Sequence, residues 1–182
     1  MKKYEFTGET KRVELWNRTA TLHRIKATVE FGFVKVGELG GWIEKEENLS
    51  HEGKAWVCDD AEVCGDAKVW GNAEVCGDAK VWGNAEVCDD AKVWGNAKVC
   101  GDAEVFLASH VLVMGSVGSR NDFTTFFRDK DNEITVKCGC FLGKIDKFLE
   151  KVTQTHGNNK YALVYRAAVE VAKLQIELTE RK

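Results

Sequence analysis

Between residues 61 and 105 the chain repeats one pattern of six positions seven and a half times: Ala, Glu or Lys, Val, Cys or Trp, Gly or Asp, then Asp or Asn. A six-residue period matches neither the 3.6-residue turn of a helix nor the two-residue alternation of a long strand, so the repeated unit is larger. It reads as one short strand followed by one corner. Val69, Val75, Val81, Val87, Val93 and Val99 are β-branched and flanked by residues that point the opposite way, so each Val faces inward. The pairs Gly71-Asn72, Gly77-Asp78 and Gly83-Asn84 tolerate positive φ, and Ala73, Ala79 and Ala85 place a methyl inside each bend.

Charge and size set the length of one coil. The residue before Val alternates as Glu62, Lys68, Glu74, Lys80, Glu86 and Lys92, so positions eighteen apart have opposite sign and positions twelve apart have the same sign. With coils about 4.8 Å apart, an eighteen-residue coil stacks Glu62 on Lys80, Lys68 on Glu86 and Glu74 on Lys92, whereas Lys80 over Lys98 and Glu86 over Glu104 break the rule at the last coil. The same arithmetic puts Trp70 over Cys88, Trp82 between Cys64 and Cys100, and Trp94 over Cys76 and Cys58. Three indoles on three outward faces, Trp70, Trp82 and Trp94, predict burial by partner copies and a homotrimer.

This phrase resembles the hexapeptide-repeat family over about residues 55–114. The resemblance implies a mainly β fold, a left-handed parallel β-helix of triangular section with three hexads per coil. Ahead of it, residues 1–54 read as a β cap with the first imperfect coil. Arg12–Trp16 and Thr19–Ile25 alternate around a turn at Asn17-Arg18, and Val36–Ile43 enters the solenoid. Gly40-Gly41 lacks a following Lys-Ser/Thr and reads as a coil corner rather than a phosphate loop. Residues 106–114 read as a last apolar coil and 115–119 as a flexible exit. Residues 115–182 then form a small ββαα module: a hairpin of 123–128 and 133–138, a helix over 144–155 stopped by Gly157, and a helix over 159–178. The entry Gly37–Ile43 and the exit Gly118–Phe126 are similar to those of uncharacterised phage and prophage proteins that bracket a hexapeptide array.

At 182 residues with 44% apolar content the chain can bury one extended core, and a net charge of −3 argues against binding duplex nucleic acid. The sequence holds no apolar run of membrane-spanning length and opens without a signal-peptide core, which predicts a cytoplasmic protein away from membranes, in the host cytoplasm if phage-encoded. Seven cysteines, an odd count with five of them at repeat spacing, predict free thiols, with Cys58 and Cys76 stacked closely enough to oxidise.

Three groups of residues could carry chemistry. The resemblance implies acyltransferases that use a histidine as base, and His110 is the histidine near the end of the repeat, although it sits in an apolar run. Cys138-Gly139-Cys140 places two thiols on one strand face without a second metal-ligating pair, so neither zinc nor another metal is expected; a nucleophilic cysteine there would need His156 nearby. The third group joins Ser119, Arg120, Asp122, Thr124, Thr125 and Arg128 to His156, Asn158, Asn159 and Lys160. Guanidiniums, hydroxyls and a helix N-terminus suit a small anionic, nucleotide-like ligand. The expectation is therefore a non-catalytic, cofactor-free homotrimer that captures such a ligand and so sequesters a host immune signal. A structural or docking scaffold and an acyltransferase are the alternatives.

Overall fold

The computed structural model describes residues 2–15 and 18–179; Trp16, the expected end of the first strand, and Asn17, the first residue of the expected Asn17-Arg18 turn, lie outside them. β1 (Tyr4–Glu14) and β2 (Thr19–Ala27) form an antiparallel hairpin, closed by Leu15 N–H donating to Arg18 O at 2.8 Å. β3 (Leu39–Ile43) pairs antiparallel with β2 on one edge. On its other edge it pairs parallel with the first repeat strand, Trp42 beside Glu62 and Ile43 beside Val63. The hairpin thus covers the open edge that a solenoid would otherwise present to other chains.

Nine two-residue strands follow: β4 (Trp56–Val57), β5 (Glu62–Val63), β6 (Lys68–Val69), β7 (Glu74–Val75), β8 (Lys80–Val81), β9 (Glu86–Val87), β10 (Lys92–Val93), β11 (Lys98–Val99) and β12 (Glu104–Val105). Repeat strands pair in parallel with the strand eighteen residues on, giving three sheets of order β3-β5-β8-β11, β4-β7-β10 and β6-β9-β12. The chain is therefore a parallel β-solenoid with the eighteen-residue coil that the charge pattern predicts. Every inward Val and every corner Ala is sealed from solvent, each Val contributing on the order of 1.5 kcal/mol by burial. Corners use left-handed backbone at glycines such as Gly77 and Gly83, with Asp59 and Asp89 taking the same conformation.

The surface ladders stack as expected. Lys80 Nζ lies 2.8 Å from Glu62 and Lys92 Nζ 4.0 Å from Glu74, exposed pairs worth at most about 1 kcal/mol each. One corner column, Asp66, Asn84 and Asp102, is bracketed by a lysine at each end: Lys45 bonds Asp66 at 2.8 Å and Lys130 bonds Asp102 at 2.7 Å.

The expectation of free thiols is corrected at one pair. Cys58 and Cys76 form a disulfide between adjacent coils, Cα atoms 4.8 Å apart, while Cys64, Cys88, Cys100, Cys138 and Cys140 are free thiols. The coil spacing itself brings the two sulfur atoms together. Of the three indoles, Trp82 is half-buried and packs with Trp42 against Ala20, Leu22 and Cys64, beneath the cap hairpin of its own chain. Trp70 is half-buried and Trp94 is exposed with Lys92 Nζ 4.7 Å above its ring.

The C-terminal part contains the expected hairpin within a larger sheet. After Val105 and a 3₁₀ turn at Ala108–His110, a four-stranded antiparallel sheet runs β13 (Val111–Val117), β14 (Asp122–Arg128), β15 (Ile134–Cys138) and β16 (Phe141–Lys144). Residues 106–114 form no further coil, and the division expected at residue 115 falls inside β13. The sheet is covered on both faces: Val111 and Val113 pack toward the solenoid core, Leu112 and Met114 toward the helices. A doubly covered strand is apolar throughout, which in sequence looks the same as a buried coil.

β14 joins the two cores. Phe127 completes the valine stack of the solenoid and Phe126 enters the helical cluster. Lys98 N–H donates to Thr125 Oγ1 at 3.0 Å, Lys130 N–H to Asp102 O at 3.0 Å, and Asp129 bridges Ala103. α1 (Ile145–His156) ends at Gly157 in left-handed conformation, and α2 (Lys160–Gln175) starts after the N-cap Asn159.

Candidate functional site

A cleft of about 160 Å³ opens where the β13–β14 turn, the β15–β16 turn and the two helices meet. Ser119 and Arg120 come from the first turn, Cys138 and Cys140 flank the second, and Lys151, Thr155 and His156 come from α1. Tyr165 of α2 and the rings of Phe141 and Phe148 form the apolar wall.

The polar lining is linked. Ser119 Oγ lies 3.4 Å from His156 Nε2, and the His156 ring stacks on Tyr165 with centroids 5.9 Å apart. Tyr165 Oη sits 3.9 Å from Cys138 Sγ, and Thr124 Oγ1 donates to that sulfur at 3.3 Å. Burial, then the neighbouring Cys138 thiol, pushes the Tyr165 phenol above its ordinary range, so it remains a neutral donor. Gly118 makes room for this arrangement, since a Cβ there would fall 2.0 Å from Tyr165 Oη. The Arg120 guanidinium lies over the backbone of Gly139 and is exposed, as is Lys151. Two exposed cations, an imidazole, a hydroxyl and an aromatic wall can hold an anion bonded to a flat or apolar group.

Of the residues singled out from sequence, the fold brings Ser119, Arg120 and His156 together here. Cys138 and Cys140, singled out as a separate pair, line the same cleft as His156; the other members of the expected anion-binding group stand elsewhere. Thr125 and Arg128 face the solenoid: Arg128 is 3% exposed and donates to Glu104 O (3.2 Å), Glu104 Oε2 (3.1 Å), Asp129 O (3.1 Å), Asn132 Oδ1 (3.0 Å) and Thr179 O (3.2 Å). It supplies the counter-charge where Glu104 stacks on Glu86. Thr124 is buried beneath Cys138, and Asp122 Oδ1 accepts from Phe123 N–H at 2.7 Å. Asn158 accepts from Arg166, which also donates to Gly157 O, fastening the interhelical corner. Lys160 lies over the Tyr161 ring. The N-terminus of α2 is already satisfied, because Asn159 Oδ1 accepts from Tyr161 N–H and Ala162 N–H.

His110 is sealed, with Nδ1 accepting from Phe106 N–H at 3.4 Å and Nε2 3.4 Å from Thr179 Oγ1. Burial, helped by the Arg128 charge, lowers its pKa to about 4. A ring without solvent contact cannot reach an acceptor substrate, which removes the structural basis for reading it as a base. Lys151, Thr155 and Tyr165 were not singled out from sequence. Lys151 and Thr155 are four apart on α1, beside the buried Phe148 and Val152, and that spacing was the available signal.

The fold and the cleft define a β-solenoid carrying a four-stranded, two-helix module with a small polar cleft. No protein-family model matches the chain, and no curated protein is significantly similar to it. Among the described residues no helix is long and apolar enough to cross a membrane.

Proposed function

We propose that the protein is a non-catalytic binding protein whose C-terminal module captures a small anionic, nucleotide-like ligand in the cleft between Arg120, Lys151 and His156. The observation that carries this reading is the convergence of Arg120 from the β13–β14 turn with Lys151 and His156 from α1 on one aromatic-walled cleft. At about 160 Å³ the cleft suits a phosphoryl group or a base rather than a whole nucleotide, so the rest of the ligand would lie over the exposed Arg120 and Lys151 side chains. The solenoid, read as a left-handed triangular coil of the hexapeptide-repeat type, is then a rigid support. In the phage setting suggested by the flanking motifs, the consequence of capture would be to sequester a nucleotide signal of host immunity.

Calorimetric titration with inorganic phosphate and a panel of linear and cyclic nucleotides tests the reading. Binding that weakens about ten- to a hundredfold in Arg120→Ala and in Lys151→Ala, as loss of one charge-assisted bond implies, supports it. No heat with any member of the panel overturns it.

A further inference from the structure

The paired thiols of Cys138-Gly139-Cys140 are not needed to hold an anion, yet both line the cleft. Their surroundings differ from those of the repeat cysteines. Cys64, Cys88 and Cys100 are sealed along the solenoid and Cys58 is bridged to Cys76, whereas Cys138 is half-buried and Cys140 is exposed. Gly139 and Cys140 make the two-residue turn between β15 and β16, with Cys138 paired to Phe141 and Gly139 in left-handed conformation. Residues two apart across such a bend stand within the roughly 4.4–6.8 Å between Cα atoms that a disulfide spans.

The same turn lies against positive charge. A Cβ at Gly139 would fall 2.7 Å from Arg120 Nη1, so glycine is what lets the guanidinium approach the turn that carries both thiols. Lys151 and His156 line the cleft from α1, and an accessible cysteine in electropositive surroundings is the reactive kind. The second sulfur is held in place: Thr124, itself sealed from solvent, donates to Cys138 Sγ at 3.3 Å, and Tyr165 Oη lies 3.9 Å from it. One thiol is open to a reactant and the other is fixed two residues away.

We propose that this pair is a thiol–disulfide exchange site selective for anionic low-molecular-weight disulfides. The inference uses the cations of the binding cleft but requires no nucleotide. Cys140, as its thiolate, attacks one sulfur of the disulfide. The reactant's S–S bond breaks, a mixed disulfide forms on Cys140, and the departing thiolate takes up the proton that Cys140 gave up. Cys138 then gives up its proton and attacks the Cys140 sulfur, which closes a Cys138–Cys140 bridge and releases the second half of the reactant as a thiol. The protein is oxidised by two electrons and the reactant is reduced to two thiols. Arg120 and Lys151 hold the reactant's carboxylates and so raise its local concentration over that of neutral or cationic disulfides. Without such a reactant both thiols stay reduced, as they are in the structure.

The full chain, incubated at low salt with oxidised glutathione, neutral hydroxyethyl disulfide or cationic cystamine, then alkylated and mapped by mass spectrometry, tests the proposal. Each rate is taken relative to that of a free Cys-Gly-Cys peptide, which removes the intrinsic reactivity of the reagent. On that scale oxidised glutathione should consume Cys138 and Cys140 about tenfold faster than the neutral reagent, with cystamine slowest. The wild type should end with Cys138 bridged to Cys140 and no retained glutathione, Cys138→Ser should accumulate one glutathionyl group on Cys140, and Cys140→Ser should stay unreacted. Arg120→Gln combined with Lys151→Gln, or salt at about 1 M, should collapse the charge preference. Exchange is read without nucleotide, so its failure is distinct from a failure of the anion-binding reading, which calorimetry decides. An inert Cys140, an adduct retained equally by the wild type and Cys138→Ser, or equal relative rates for the three reagents would each overturn the proposal.

Discussion

Arg128→Ala separates a clamp from a binding residue. The side chain is 3% exposed, makes five hydrogen bonds and lies 4.9 Å over the Phe106 ring. Bonds to a charged group contribute roughly 1.5 to 3 kcal/mol singly, but five on one guanidinium do not add. The better measure is an ion pair buried at one end only, since the Glu104 side chain stays 37% exposed, which places the loss between an exposed and a buried pair, at about 2 to 3 kcal/mol. Here truncation would leave the Glu104 carbonyl and carboxylate facing Glu86 without their counter-charge. For a chain of this length that corresponds to a fall in Tm of about 5 to 10 °C. Calorimetry should show the fall, and hydrogen exchange should accelerate in β12 and β14 first, because these are the strands that Arg128 ties together. Arg120→Ala, on an exposed turn, should leave melting and exchange unchanged and affect ligand affinity alone. If Arg128→Ala melts like the wild type while losing affinity, the clamp assignment is wrong and the residue belongs to the cleft.

Three further outcomes are expected. Val81→Asp, which buries a carboxylate in the sealed valine stack, should abolish soluble protein, whereas Lys80→Glu, at an exposed ladder position, should change stability by less than about 1 kcal/mol; equal tolerance in an expression and melting screen would reverse the inside and outside assignment. His110 takes up a proton only near pH 4 in the folded chain, so as pH falls below its ordinary value the unfolded chain binds the proton first and stability is lost between about 6.5 and 4, by up to about 3 kcal/mol. Urea unfolding from pH 7 to 4 should show this slope flattened in His110→Asn, and identical slopes would refute the burial of the ring. Thiol titration of protein denatured without reductant should count the five free cysteines; seven would refute the Cys58–Cys76 bridge.

The solenoid was legible because its determinants are local and repeated. Val81 between Lys80 and Trp82 states its own facing, and the sign reversal from Glu62 to Lys80 states the coil length. The C-terminal sheet was less legible, since Val111–Met114 is apolar on both faces and no alternation marks it as a strand. Three residues of the expected anion-binding group share the cleft for a related reason. Ser119, Arg120 and His156 lie in turns or at a helix end, where polar residues face outward by default. Arg128 lies on a strand whose two faces serve two cores, and only the pairing of β14 with the end of the solenoid shows that its charge points inward toward Glu104. The packing of Trp82 against the cap was not legible, because the cap hairpin lies some sixty residues earlier in the chain and no local pattern records that contact.

The lysines that close the Asp66, Asn84 and Asp102 column bear on how the array can change length. Lys45 belongs to the cap and Lys130 to the C-terminal module, and both reach the same corner column. Duplicating three hexads adds one full coil and leaves that column under both lysines, with β14 meeting the same end faces as before. Duplicating one hexad would carry the module on to the neighbouring sheet, away from Lys45's column, and set its cleft on a different side of the solenoid relative to the cap. Viable insertions and deletions in the array should therefore come in multiples of eighteen residues, although the repeat itself counts in sixes.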